Sequence, residues 1–137
     1  MLPLETREAI DDYLRRTKAK LRARPAYQSE LLKKERRFFD KVVAYILQFA
    51  PNTTEILLHG SRAINEHKRT SDWDFVAFVP ALTVDQQISL VNVGGPFGKN
   101  LVIGGRRADI QVECFDARSN FVTIAREEGV VVWRYAS

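Results

Sequence analysis

The chain has 137 residues and a formal net charge of +4, with 45% hydrophobic and 28% charged residues. These values are typical of one globular domain with a substantial core, and they exclude a disordered chain. No apolar run approaches the ~20 residues of a membrane span, and the first residues lack the pattern of a secretory leader. We therefore expect a single domain in the cytoplasm, with no membrane partner.

Cysteine use and charge distribution bear on location and partners. Cys114 is the single cysteine and lies in an apolar, strand-like run, so we expect a reduced thiol with a packing role. Residues 1–48 hold 12 Lys and Arg against 7 Asp and Glu. A basic N-terminal third attracts nucleic acid or an acidic partner, although solvated helix faces rich in lysine and arginine are commoner.

The first fifty residues predict two helices. Apolar residues recur at helical spacing over residues 4–22. Pro25 lies in a short connector, because proline disfavours a helix before it. Ser29 is the predicted N-cap of a second helix that runs to about Phe49. Its predicted apolar side is formed by Leu32, Phe39, Val42, Val43 and Ile46.

The central part predicts two strands and a short helix. Residues 55–58 form a strand, and residues 61–66 predict one or two helical turns. Residues 73–79 have no polar and apolar alternation, which predicts a central strand covered on both faces. Residues 83–92 predict a short helix with an apolar side formed by Val84, Ile88 and Val91.

The last part predicts a hairpin, a helix and a strand. A Gly104-Gly105 turn joins residues 100–103 to residues 106–115. In the second strand Ala108, Ile110, Val112 and Cys114 face one side, and Asp109, Gln111 and Glu113 face the other. Residues 119–128 predict a helix ended by Gly129, with a strand after it. The fold class is α+β (of α/β type): a small mixed sheet flanked by helices.

Two polar motifs lie on either side of residues 62–71. A strand that ends at Gly60-Ser61 presents backbone N–H groups and a hydroxyl to an anion. Asp72 and Asp74 are two residues apart on a strand, so their side chains point to one face. Adjacent carboxylates repel each other unless a cation lies between them. The stretch therefore predicts a site for a metal ion and a nucleotide.

Together these motifs resemble a known family signature. Gly60-Ser61, ten residues, Asp72-Trp73-Asp74 and a later Asp109 are similar to the nucleotidyltransferase superfamily related to DNA polymerase beta. The pattern is most similar to its minimal nucleotidyltransferase group. The resemblance extends from about Ser29 to residues 124–132, and it implies the nucleotidyltransferase fold. We assign residues 1–28 to an N-terminal helical extension and residues 29–137 to the nucleotidyltransferase domain.

The resemblance also implies roles for the site residues. Asp72 and Asp74 would hold two Mg²⁺ ions and the triphosphate of ATP or another NTP. Asp109 would share one ion and help to deprotonate the attacking hydroxyl. Mg²⁺ prefers oxygen ligands, and two metals stabilise the entering and leaving oxygens of phosphoryl transfer. The implied nucleotide contacts are Gly60, Ser61, Arg62, Lys68 and Arg69.

The implied activity is transfer of AMP, or another NMP, to a hydroxyl. Minimal members resemble antitoxins that pair with a helical HEPN ribonuclease and attach AMP to its tyrosine. A chain with no acceptor domain of its own fits a protein acceptor. Two alternatives stay open. One is a catalytically weak module that neutralises a partner or binds nucleic acid through its basic N-terminal helices. The other is a homodimer that adenylylates a small molecule.

Some residues have other interpretations. Aspartates are common at turns, and Asp109 is close in sequence to the guanidinium groups of Arg106 and Arg107. Glu113 is a competing carboxylate on the same strand face as Asp109.

The two histidines and Trp73 are not expected to take part in the chemistry, and Asn65 departs from the family pattern. His59 and His67 have no cysteine or third histidine at ligand spacing, so zinc is not expected and His59 is interpreted as a packed histidine. Trp73 points away from the aspartates, into the core. Asn65 stands where the family pattern has glycine, and asparagine tolerates a left-handed φ.

Overall fold

The computed structural model describes residues 6, 9–11, 13, 14, 17 and 24–136. The described positions before residue 24 are helical, and the rest of the predicted helix 4–22 lies outside the described residues. The boundary near residue 28 between an extension and the main domain stays a prediction. Among the described helices, none is long and apolar enough to cross a membrane.

Two helices, α1 (Pro25–Lys34) and α2 (Arg36–Phe49), precede the sheet. The predicted connector is wrong, because Pro25 is the first residue of α1, where the missing N–H costs nothing. Ser29 lies inside α1 and is not an N-cap. The predicted single helix is divided at Glu35, whose φ of −106° and ψ of 14° are not helical.

Five strands form one mixed sheet in the order β3-β4-β2-β1-β5. They are β1 (Glu55–His59), β2 (Trp73–Val79), β3 (Val102–Ile103), β4 (Arg106–Cys114) and β5 (Val130–Arg134). β1 is antiparallel to β2 and β5, and β3 is antiparallel to β4 across the predicted glycine turn. β2 and β4 are parallel. The predicted mixed α+β fold is confirmed.

The two faces of the sheet pack against different helices. Phe75 of β2 lies in the main core with Phe39 of α2. Val76 faces the other way and packs with Val122 of α4 (Asn120–Glu128). Every residue of β2 is buried except Asp74, which is half-buried. The missing alternation in β2 thus correctly predicts a central strand with both faces covered.

The short helix α3 (Val84–Val91) begins where the sequence predicts, but its predicted apolar side faces away from the core. Thr83 and Gln86 exchange hydrogen bonds in a capping box, which fixes the start of the helix. The predicted apolar side is not buried, since Val84 is 71% exposed and Ile88 is 52% exposed. α3 lies beside the part of β4 that β3 does not cover, and Gln87 Nε2 donates to the Val112 carbonyl of β4 at 2.5 Å.

Candidate active site

The chain turns sharply at Gly60, immediately after β1. Gly60 has a φ of +75°, in the left-handed region that favours glycine. The predicted helical turns at residues 61–66 are wrong, because the segment is a series of turns. Asn65 has a φ of 59°, which a right-handed helix does not accommodate. The Glu66 N–H donates to the Ser61 carbonyl at 2.8 Å, a bond that does not use the Ser61 hydroxyl.

Gly60 also makes room for Asp74. A Cβ at residue 60 would lie 2.5 Å from Asp74 Oδ2, closer than real Cβ contacts. Only glycine therefore permits this approach of the carboxylate. The Asp74 side chain lies against the turn that the sequence predicts as a phosphate site.

Asp74 lies beside Asp109 in the parallel register of β2 and β4. Neighbouring strands are about 4.8 Å apart, and residues paired in this way point to one face. Burial raises the pKa of Asp74 to about 6, and the negative charges of Asp109 and Asp72 add to the effect. Arg62 opposes the rise in pKa. The half-buried Asp74 and the exposed Asp109 thus lie side by side on one face of the sheet.

The chemistry of these donors fits a divalent cation. Carboxylate oxygens are the ligands that Mg²⁺ prefers, and a cation would stabilise the ionised form of Asp74, which burial and the nearby carboxylates disfavour. In the part of the chain that the structure describes, no three His, Cys, Asp or Glu side chains are already grouped to hold a metal ion. Asp72 Oδ1 instead lies 3.5 Å from Arg107 Nε, and both side chains are exposed. To bind a metal ion, Asp72 would have to give up this contact with the Arg107 guanidinium.

Arg62, predicted as a nucleotide contact, is used to hold the loop before β2. Its Nε and Nη2 donate to the Ser71 carbonyl at 3.1 and 2.8 Å, and Nη2 also donates to the Arg69 carbonyl at 3.3 Å. Its Cζ lies 4.2 Å from the centre of the Trp73 ring. Tyr27 of α1 donates to the Arg62 carbonyl at 2.6 Å. These contacts give Arg62 a positioning role between the Gly-Ser turn and β2.

A cavity of about 400 Å³ collects basic side chains near Asp72, and we call it the arginine cavity. Its lining includes Arg62, Arg69, Arg106 and Arg107 together with Glu35 and Asp72. The structure thus brings the predicted Arg69 to this cavity, and the exposed Lys68 is not among its lining residues.

Arg106 and Arg107 were considered from the sequence only as alternative partners of Asp109. They pair with Glu35 and Asp72 instead. Their position at the start of β4 was the available signal. In the register of β2 with β4, Ala108 lies beside Trp73, so the start of β4 lies beside the loop that carries Asp72.

His59 is packed, in agreement with the sequence interpretation. The register of β1 and β2 places His59 opposite Asp74, and its ring meets Phe121 of α4 edge to face with centroids 5.1 Å apart. Burial lowers the pKa of His59, and a hydrogen bond with the Phe75 backbone and the charge of Asp109 oppose that effect. Burial therefore favours the neutral form of the imidazole, which lies opposite Asp74 on the neighbouring strand.

Glu113 is not part of the carboxylate group. It lies four residues beyond Asp109 on β4 and is paired with Phe78 of β2. At about 3.3 Å per residue, the two positions are about 13 Å apart. Glu113 is therefore wrong as an alternative ligand beside Asp74.

A family model described as a nucleotidyltransferase domain matches residues 39–132. The chain belongs to this family. The match covers α2 to β5 and contains Gly60-Ser61, Asp72, Asp74 and Asp109. The nucleotidyltransferase family supports nucleotidyl transfer as the general chemistry of the site, with the mixed sheet as its scaffold.

Comparison with solved structures and curated proteins adds little to the family assignment. This chain is similar to a protein from Sulfolobus solfataricus, whose crystal structure is provisionally assigned as that of a nucleotidyltransferase. The two are 18% identical with a TM-score of 0.43, over 75% of this chain and 86% of that chain. A TM-score of this size does not by itself establish a common fold. No curated protein matches the chain significantly.

Proposed function

We propose that this protein is a Mg²⁺-dependent nucleotidyltransferase that moves AMP from ATP to an acceptor hydroxyl. The observation that supports it best is the pairing of Asp74 with Asp109 on adjacent parallel strands. Burial, followed by the negative charges of Asp109 and Asp72, raises the pKa of Asp74 to about 6, so its ionised form is unfavourable without a cation.

In this proposal the predicted residues are either metal ligands or phosphate contacts. Asp72, Asp74 and Asp109 hold Mg²⁺, which supplies charge neutralisation and alignment for in-line phosphoryl transfer. The Ser61 hydroxyl donates to a phosphate oxygen beside the Gly60 turn. Arg69 at the arginine cavity and Lys68 next to it in the loop contribute positive charge towards the triphosphate.

The reaction step balances without a redox partner. The acceptor oxygen forms a bond to the α-phosphorus, and the bond between this phosphorus and the bridging oxygen to the β-phosphate breaks. Pyrophosphate leaves with the electron pair of that bond. Asp109 accepts the proton of the acceptor hydroxyl and passes it to solvent.

The acceptor that we propose is a partner protein, as in the HEPN-associated minimal nucleotidyltransferases that the sequence resembles. AMP as the transferred group rests on the same resemblance, and a cytoplasmic location rests on the single cysteine, which we interpret as a reduced thiol. The supporting observation on this chain is that the described cavities around Asp72 and Asp109 are open to the surface, where a second molecule has access.

Intact-mass measurement tests the proposal directly. The purified chain is incubated with Mg²⁺, each NTP in turn, and the proteins encoded by the genes on either side of its own. We expect the partner to gain the mass of one AMP, and the Asp74→Asn variant to lose this activity. Asp116→Asn, which removes an exposed carboxylate in a turn, is the matched control. Absence of transfer with every NTP, or full activity of Asp74→Asn, would contradict the proposal.

A further inference from the structure

A separate cavity of about 250 Å³ lies along β4 beside Asp109 and shares no lining residue with the arginine cavity. We call it the edge cavity. It is lined by Asp109, Gln111 and Glu113 of β4, Gln87 and Val91 of α3, and Phe97 to Lys99 of the next loop. β3 pairs only with the first two residues of β4. The edge of β4 beyond that point is therefore left to α3 and this loop.

Aromatic contacts with α2 hold the wall of the edge cavity in place. Phe97 is 3% exposed, with its ring centroid 5.9 Å from that of Tyr45 and 6.3 Å from that of Phe49. The Tyr45 hydroxyl donates to the Pro96 carbonyl, and the Phe97 N–H donates to the Leu90 carbonyl at 2.6 Å. The loop that carries Pro96 and Phe97 is thus held in a fixed position by packing and hydrogen bonds.

The edge cavity and the arginine cavity carry opposite charge. The edge cavity has two carboxylates, Asp109 and Glu113, against one cation, Lys99. The arginine cavity has four guanidinium groups against two carboxylates. Electrostatic attraction therefore favours the triphosphate at the arginine cavity. Because Asp109 is assigned to Mg²⁺, Glu113 is the carboxylate of the edge cavity that can attract a cationic group.

A third cavity connects the edge cavity to the arginine cavity, beside Asp72 and Asp109. This third cavity, of about 290 Å³, shares Asp72 and Arg107 with the arginine cavity. It shares Lys99 and Asp109 with the edge cavity. A donor and an acceptor at the two ends would therefore come together at Asp72 and Asp109.

The apolar surface of the edge cavity continues beyond it along α3. Val91 lines the cavity, and Ile88 and Val84 lie on the same side of α3 at helical spacing. Both are more than half exposed. A molecule confined to about 250 Å³ does not cover that surface, whereas a polypeptide segment does.

We propose that the edge cavity is the acceptor site, and that it takes a hydroxyl side chain from a polypeptide with apolar and cationic neighbours. Its apolar residues pack on α3, and its cationic residue lies near Glu113. The edge cavity has one cationic side chain, Lys99, and so offers little positive charge to hold a polynucleotide acceptor. This assignment rests on the proposed nucleotidyl transfer and extends it to the second substrate.

Peptide probes test the charge preference with the full chain, Mg²⁺ and ATP labelled at the α-phosphate. One probe has a single tyrosine between leucine and lysine residues, and a second has glutamate in place of lysine. Tyramine and a short RNA with a free 3′ hydroxyl complete the set. We expect the lysine peptide to be labelled about tenfold faster than the glutamate peptide, as for one favourable charge contact. Equal labelling of tyramine, or preference for RNA, would overturn the assignment.

Charge reversal at Glu113 tests the location. Glu113→Lys should reverse the preference between the two peptides and leave the KM for ATP unchanged. Glu30→Lys makes the same change in net charge at an exposed position of α1, and it should keep the original preference. Val91→Asp should raise the KM for the lysine peptide. If transfer proceeds and the Glu113→Lys preference is that of the wild type, the edge cavity is not the acceptor site.

Binding separates failure of this assignment from failure of the proposed function. If no probe is labelled, the transfer proposal fails, and NMR titration with the lysine peptide still tests the edge cavity. We expect amide shifts concentrated at Gln87, Val91 and Gln111, reduced in Val91→Asp. Shifts elsewhere, or no shifts at millimolar peptide, would overturn the acceptor site.

Discussion

Asp74 and Asp109 lie side by side although 35 positions separate them in the chain, because β4 pairs in parallel with β2 on one side and with β3 on the other. The intervening helix α3 and the β3-β4 hairpin return the chain to the same end of the sheet. Burial and the neighbouring negative charges raise the pKa of Asp74 to about 6. This one register therefore determines the electrostatics of the site, and the first predictions concern it.

Asp74→Asn should stabilise the metal-free protein at high pH. The folded-state pKa of Asp74 is above its unfolded value, so its ionisation destabilises the fold as pH rises through about 6. Because the side chain is only half-buried, we expect a gain of about 1 kcal/mol at pH 8 and none at pH 4. Urea unfolding in EDTA at both pH values measures it. A gain of similar size in Asp116→Asn would show that the effect is not specific to the site.

Mg²⁺ should stabilise the wild type and not the carboxylate variants. A ligand that binds only the folded state at one hundred times its Kd adds about 2.7 kcal/mol of stability. We expect a rise in Tm with Mg²⁺ at pH 8 that is reduced in Asp74→Asn and in Asp109→Asn. Thermal unfolding with and without Mg²⁺ measures the difference. An equal rise in Tm for all three proteins would place the bound ion elsewhere.

Gly60→Ala should displace the Asp74 carboxylate. The new Cβ would lie 2.5 Å from Asp74 Oδ2, and the φ of +75° adds backbone strain of about 1 kcal/mol. Nucleotidyl transfer should fall at least tenfold. Gly94→Ala is the matched control, since Gly94 has a φ of +87°, nothing within 4 Å of an added Cβ, and no place in the lining of the arginine cavity. The two variants should lose similar backbone stability, and comparable activity in both would contradict a role for this contact.

Arg62→Lys should loosen the loop that carries Ser71 and Asp72. A lysine ammonium cannot reproduce the paired Nε and Nη2 bonds to the Ser71 carbonyl or the planar contact with Trp73. We expect a loss of about 1–2 kcal/mol in the free energy of unfolding. Amide hydrogen exchange at residues 68–71 should be faster. Lys68→Ala, on the same loop, should change stability by less than about 0.5 kcal/mol.

Local patterns predicted most of the elements. The unbroken apolar run of β2, the Gly104-Gly105 turn and the Ser119 start of α4 each depend on a few neighbouring residues. The errors also have physical reasons. Residues 61–66 have helix-forming composition, but Asn65 adopts a positive φ. Pro25 begins a helix instead of ending one, because proline is tolerated in the first turn.

The candidate site divides along the same line. Asp72 and Asp74 could be assigned to one strand face from their spacing, and the alternation of β4 placed Asp109 on one face of its own strand. The use of Arg62 could not be read from the sequence, because its partners depend on how the Gly-Ser turn folds back on the loop. The exposure of the Val and Ile side of α3 could not be predicted from the sequence either, because such a pattern is typical of a helix face that packs against another element.

The sequence by itself determined the local chemistry: a glycine that permits a turn, a hydroxyl beside it, and carboxylates at a period-two spacing. Those features follow from backbone sterics and side-chain direction over a few residues. Only the tertiary structure decided that Asp109 neighbours Asp74, that Arg107 holds Asp72, and that a cavity opens between α3 and β4. These relationships join residues distant in the chain, and they depend on strand order and packing, which no local pattern encodes.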